Sequence, residues 1–239
     1  MIIKPDTLDA AAAYKLLIGS VLPRPIAWVS TVSPDGIGNI APVSFFTVVG
    51  RKPPILSISL QPRSDGVTLK DTFVNIRDTG EFVINTATLP HADALHRSAQ
   101  EFASTIDEFD ELDLRKSPSE TVAAPRIEGC PISFECVLDR IIEMPLNDHV
   151  VWGEVTCIHV RDDLYLTRGR IDVAALASFG RLAAEYTLVD SIFTTPLDET
   201  ILDERAATRV RRLDNHDTHY SPIDTDAWHP SGSVQADPK

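Results

Sequence analysis

PRPIAWVSTVSPDGIGNIAPVSFF, residues 23–46, is the stretch on which the fold turns. Pro23 and Pro25 impose an extended entry, because each fixes its own φ and pushes the preceding residue out of the helical region. Ile26 to Val32 is rich in β-branched and aromatic residues and reads as a strand. Ser33-Pro34-Asp35-Gly36 is a turn, since proline presets φ and glycine tolerates positive φ. The return through Ile37 to Val49 completes a hairpin, and Pro42 within it signals a bulge or a sheet edge.

Outward from this hairpin the strand pattern continues. After Lys52-Pro53-Pro54, Leu56, Ile58 and Leu60 alternate with Ser57 and Ser59, giving one apolar and one hydroxylated face. Asp71 to Arg77 is expected as a short helix capped by Asp71 and stopped near Gly80, with a strand from Glu81 to Thr86. Upstream, residues 6–18 read as an alanine-rich helix, with Asp6 as its cap and Gly19 at its end. Downstream, His91 to Phe102 reads as a helix and Asp107 to Asp113 as a solvated acidic loop. Ile132–Met144, Val150–Val160 and Leu164–Thr167 read as strands, and Val173 to Glu185 as mostly helix. Many strands with few short helices predict a β-barrel or α+β fold. Steady patterning ends near residue 197, so residues 1–196 are expected as one domain and 197–239 as an arm or partly disordered tail.

The whole-chain numbers exclude several classes. A chain of 239 residues with 43% hydrophobic and 24% charged residues has a globular balance, not a disordered one. A formal charge of −13 repels phosphate backbones and anionic lipid, which argues against nucleic-acid and membrane-surface binding. Cys130, Cys136 and Cys157 form no short-spaced pair, so no disulfide framework or zinc ribbon is expected, and a reducing cytoplasm suits them. No apolar run reaches a membrane-spanning length, and the N-terminus lacks a secretion pattern.

One feature runs against the acidic background. The helix expected at Asp71 begins after Lys70, so free N–H groups, a positive dipole end, Lys70 and the Thr72 hydroxyl converge. With Ser44 and the Ser57/Ser59 face they could hold a phosphate; ordinary capping with a solvated Lys70 is the plainer alternative. His91 and His96 are five apart, poor spacing for one helical face, and no metal site is expected. No GxSxG, GxGxxG or Walker-type loop is present, which argues against common hydrolase, Rossmann and P-loop readings.

The quoted stretch also resembles the opening of flavin reductase-like proteins of the flavoredoxin type. The likeness continues through PPILSISL (53–60), KDTFVNIRDTGEFVIN (70–85), IDEFDELDL (106–114) and PRIEGCPISFECVL (125–138). It extends to WGEV (152–155), HVRDDLYLTRGRID (159–172) and RLAAEY (181–186). The resemblance implies a mainly β fold, an FMN-binding split β-barrel of six strands with Greek-key connections and a few flanking helices. It also implies a homodimer with FMN near the subunit interface. Carried over by motif, the cofactor-binding residues are Thr31, Asn39, Ala41, Ser44, Ser59, Lys70, Asp71 and Thr72, with Ser44, Lys70 and Thr72 on the phosphate. Arg181 and Tyr186 match the family's C-terminal motif; His96 is placed beside the nicotinamide, with a helix-surface histidine as the plainer alternative. Ala183 and Ala184 stand where the family has two glycines; a left-handed backbone there would cost about 1 kcal/mol. The expected function is an NAD(P)H:flavin reductase passing hydride from NADH or NADPH to FMN. A monooxygenase or another electron acceptor would be its partner. A non-catalytic FMN-binding or electron-carrier flavoprotein is the alternative.

Overall fold

The computed structural model describes residues 1–166, 169–189, 191–192 and 219–220. Helix α1 (Ala10–Ser20) is followed by β1 (Ala27–Val32), β2 (Gly38–Val43), β3 (Phe46–Arg51) and β4 (Pro54–Leu60). Helix α2 (Asp71–Thr79) leads into β5 (Glu81–Thr86), and two short helices, α3 (Ala92–Arg97) and α4 (Glu108–Glu111), come next. A two-residue pair, β6 (Lys116–Ser117) and β7 (Arg126–Ile127), precedes the long hairpin β8 (Ile132–Glu143) and β9 (His149–Val160). The order closes with β10 (Tyr165–Leu166), β11 (Arg170–Ile171), α5 (Val173–Leu176), β12 (Phe179–Arg181) and β13 (Tyr186–Leu188).

The main sheet has seven strands in the order β2-β1-β5-β8-β9-β4-β3, paired antiparallel throughout. Its two outermost strands, β2 and β3, are consecutive in the chain and joined only by Ser44-Phe45. So short a link forces the sheet to curl until its edges meet without pairing, which makes a β-barrel split at that seam. The sequence expectation of one long return strand thus resolves into two, which brings the strand count to seven. Pro42 lies on the outer strand β2, where the missing N–H costs no ladder bond.

Alternation fills both sides of the wall. Val29, Leu56, Ile58, Leu60, Phe82, Ile84 and Val151 point into the barrel, and Phe73 and Ile76 of α2 pack against them. Trp28, Ile40, Leu95, Phe109, Ile127 and Phe179 form a second cluster beneath α3, α4 and β12. Each such side chain contributes about 1.5–3 kcal/mol by leaving water. Buried Trp28 keeps its indole N–H satisfied by donating to Ser98 Oγ at 2.9 Å.

Four local expectations are corrected. The first helix is capped by Asp9, whose side chain accepts from Ala12 N at 2.7 Å, while Asp6 lies in a preceding 3-10 turn; Gly19 lies inside the helix. The expected helix 91–102 is cut to α3 within Ala92–Arg97 after a short turn. The helix expected over 173–185 stops at Leu176, because the backbones of Arg24 and Arg181 bond each other (3.0 and 2.8 Å) and draw the following residues into strand. The acidic segment 107–113 is structured: Asp107 caps α4, and Glu108 and Phe109 are buried. Apart from the pairing of Ser191–Ile192 with His219–Tyr220, the expected arm over 197–239 lies outside the described residues. None of the described helices is long and apolar enough to cross a membrane.

Candidate functional site

The seam of the barrel opens into a cleft of about 270 Å³. Its walls come from β2 and the Ser44-Phe45 link, the end of β4, the start of α2, the α3 region and the β12–β13 turn. Asn39, Ala41, Ser44, Ser59, Lys70, Asp71, Thr72, His96, Arg181 and Tyr186 all line it. Of the expected site residues, Thr31 alone does not. Thr31 is fully buried beneath Asn39 and accepts from Asn75 Nδ2 at 3.0 Å.

At the base of the cleft lies a buried polar network. The orientation of the Asn39 amide that satisfies its neighbours has its nitrogen donating to Glu108 Oε1 at 3.2 Å. Its oxygen then accepts from Thr72 Oγ1 at 2.9 Å and Thr31 Oγ1 at 3.3 Å. Glu108 Oε2 accepts from Ile40 N at 2.8 Å. Only 6% of Glu108 is exposed. Burial pushes its carboxyl up to about 7, against the pull of the Ile40 hydrogen bond and with the push of the neighbouring Asp71 charge. Asp107 caps α4 by accepting from Phe109 N, and also accepts from Gly38 N and Lys116 Nζ at 3.0 and 2.5 Å. The acidic segment is therefore a staple on edge strand β2, since unpaired N–H groups there need acceptors.

The rim of the cleft is cationic. Lys70 is the N-cap of α2, extended at φ −68° and ψ 145°, with no side-chain cap; Phe73 N and Val74 N donate to its carbonyl, which leaves the N–H groups of Asp71 and Thr72, both cleft residues, without an acceptor among the described residues. The expected cap, Asp71, is instead the first helical residue, and its carboxylate is engaged by Arg63 at 2.6 Å. Arg63 also donates to Phe102 O at 2.9 Å, which fixes its guanidinium at the rim. Arg24, nearly buried, donates to Ile18 O, Leu182 O and Ser44 Oγ, and so ties α1, the β12–β13 turn and the link together. On the far wall His96 Nδ1 lies 3.2 Å from Tyr186 Oη, and the Arg181 guanidinium sits 4.6 Å from the Tyr186 ring centre. Ala183 and Ala184 occupy the β12–β13 turn without left-handed φ, so the strain attached to losing two glycines does not arise.

Hydroxyls, backbone N–H groups and fixed cations around a narrow slot suit a ligand with an anionic tail and a flat polar head. The sequence profile described as the flavin reductase like domain matches residues 18–174. The chain belongs to the flavin reductase-like family. An uncharacterised protein of Aquifex aeolicus is 42% identical over 179 residues, 74% of this chain and 90% of that one. Among solved structures, nitrilotriacetate monooxygenase component B from Bacillus cereus matches with TM-score 0.77 and 32% identity, over 81% of this chain and 98% of that one. The 2-nitrobenzoate 2-nitroreductase of Pseudomonas fluorescens matches with TM-score 0.75 and 29% identity, over 83% and 96%. Family membership makes this flavin reductase-like protein a flavin-linked oxidoreductase with the split-barrel fold.

Arg24 and Arg63 escaped the sequence reading, and Glu108, expected within a solvated acidic loop, is buried instead. Arg24 stood in the quoted motif between two prolines, and Glu108 followed Asp107 in a capping position. Both signals were present in the sequence. Arg63 carries no local signal, because its partners Asp71 and Phe102 are set by the fold.

Proposed function

We propose that this protein is an FMN-dependent oxidoreductase, an NAD(P)H:flavin reductase acting as a homodimer in the cytoplasm. The observation that carries the reading is the collection of Ser44, Ser59, Lys70 and Thr72 on one slot of a chain whose net charge is −13. Lys70, the Ser44 hydroxyl and the backbone N–H groups of Asp71 and Thr72 take the phosphate, with Arg63 held at the rim by Asp71. Asn39, Ala41 and Ser59, backed by Thr31, line the ring. When bound, FMN supplies the acceptor for a hydride from NADH or NADPH. Arg181, Tyr186 and His96 then border the side on which the nicotinamide docks. Arg181 attracts the donor's phosphates, and the Tyr186–His96 hydrogen bond fixes the phenol. A monooxygenase or another acceptor takes the electrons onward. Residues 1–196 form the functional domain in this reading, and 197–239 an appended arm.

The homodimer accounts for a surface the monomer leaves uncovered. Helix α1 buries no side chain, and Leu17 and Val48 of β3 are 59% and 69% exposed. Burying such an apolar face on a second copy is favourable. We expect Leu17→Glu to shift sedimentation from dimer to monomer, and an unchanged wild-type monomer would reject the assembly.

Titration of the full-length protein with FMN, followed by anaerobic mixing with NADH or NADPH, tests the activity. Bleaching of the bound flavin is expected. Persistent colour would favour the non-catalytic electron carrier, and an unchanged flavin fluorescence would sink the flavin assignment.

A further inference from the structure

A second group of ligating side chains lies away from the cleft. Glu135 on β8 stands opposite Cys157 on β9, and His159, two residues on, shares the Cys157 face. The unbroken register from Ser133↔His159 to Glu135↔Cys157 puts the three side chains on one face. Cys157 Sγ is 3.6 Å from His159 Nε2, which is 2.5 Å from Glu135 Oε1, and all three donor atoms lie within 4.8 Å of one another. None of the three lines the cleft.

We propose that Glu135, Cys157 and His159 form a binding site for a divalent cation of the zinc class. The donor set decides the class. A thiolate and an imidazole select a borderline-soft ion, and one carboxylate is too little for calcium or magnesium. Bond lengths to zinc place ligand atoms about 3.2–3.7 Å apart, which the Cys157–His159 separation meets. The Glu135–His159 separation is a hydrogen bond at present, so the imidazole moves outward by about 1 Å as the ion enters. His159 is partly exposed and free to do so, whereas Glu135 is rigid. Glu120 N, Thr121 N and Thr121 Oγ1 all donate to its carboxylate. Such outer hydrogen bonds orient a ligand before the metal arrives. Cys157 and His159 are half-buried, so water reaches a fourth position.

The exchange balances simply. The Cys157 thiol loses its proton to solvent and the thiolate binds the ion. His159 ligates through Nε2, with its ring proton on Nδ1. Glu135 joins as carboxylate. The thiol proton leaves as the ion binds, with no change of oxidation state. The ion would fasten β8 to β9 and, through Glu135, hold the Glu120-Thr121 loop.

Cobalt(II) is the probe, because thiolate ligation gives it a near-ultraviolet charge-transfer band. Full-length protein is reduced, freed of metal with a chelator and titrated with Co2+, the metal-free spectrum of the same sample being subtracted to remove any flavin. A thiolate-to-cobalt band saturating at one ion per chain is expected, displaced by Zn2+, with a rise in thermal midpoint. Cys157→Ser should abolish the band while circular dichroism shows it folded. His159→Gln should weaken cobalt by about tenfold or more. No band in the wild type, or an equal band in Cys157→Ser, overturns the site and leaves Glu135 and His159 as a hydrogen-bonded latch only. Flavin binding plays no part in this readout, so failure here leaves the cleft assignment standing, and the reverse.

Discussion

Glu108 and Glu135 are both buried glutamates, yet their surroundings drive them in opposite directions. Burial raises both. At Glu108, at the base of the cleft, one backbone N–H and one amide face the carboxyl, and it settles at about 7. At Glu135, on β8, desolvation is outweighed by donors from Thr121, Glu120 and His159, and the group is held down to about 2. Burial alone does not decide ionisation; the count of donors aimed at the carboxylate does. The under-supplied glutamate lies at the base of the cleft. The fully supplied one staples a loop to the sheet.

The largest expected effect tests the well-supplied member. Glu135→Ala removes the charged acceptor of Glu120 N and Thr121 N, while Thr121 Oγ1 keeps Thr156 Oγ1 at 2.6 Å, and should lower the unfolding free energy in urea by about 3–5 kcal/mol, two hydrogen bonds to a charged group. Glu108→Gln keeps one acceptor for Ile40 N and should cost under about 1 kcal/mol at pH 5. Equal losses would break the contrast.

Next in size is the cationic rim above Glu108. Lys70→Ala should weaken FMN by about 1.5–3 kcal/mol, the range for a charged hydrogen bond, and leave riboflavin nearly untouched. Equal loss for both ligands, measured by fluorescence titration, would remove Lys70 from the phosphate.

The smallest effect is a slope. Glu108 binds its proton more tightly folded than unfolded. Its contribution to stability is therefore complete below the ordinary 4.5 and is lost as pH rises through about 7. Over the same window its growing negative charge repels an anion in the cleft, so FMN affinity should fall as pH rises relative to Glu108→Gln. The difference between the two profiles matters, since the FMN phosphate itself titrates near pH ~6. Parallel profiles would show that Glu108 does not sense the ligand.

How much of this was legible in advance depends on distance along the chain. The alternation of Leu56, Ile58 and Leu60, the hairpin at Pro34-Asp35-Gly36 and the stop at Gly80 are local, and residue chemistry sets them directly. Ser44, Lys70 and Thr72 were legible as chemistry gathered at a helix start, and Asn39, Ala41 and Ser59 through the resemblance of their short segments to the family. The helix expected over 173–185 failed because its alanines favour a helix that Arg24, more than 150 residues earlier, overrides by backbone pairing.

Residue order, then, determined the strands, the start of α2 at Lys70-Asp71 and the alternation that turns Ser59 to the slot. Only the closed three-dimensional arrangement decided that Asp71 would be occupied by Arg63, and that Glu108 would be short of partners. It also decided that Glu135 would meet Cys157 and His159. The reason is physical. Propensity and pattern act over a few residues, whereas ionisation and ligation depend on which groups the register of distant strands leaves within a few ångströms.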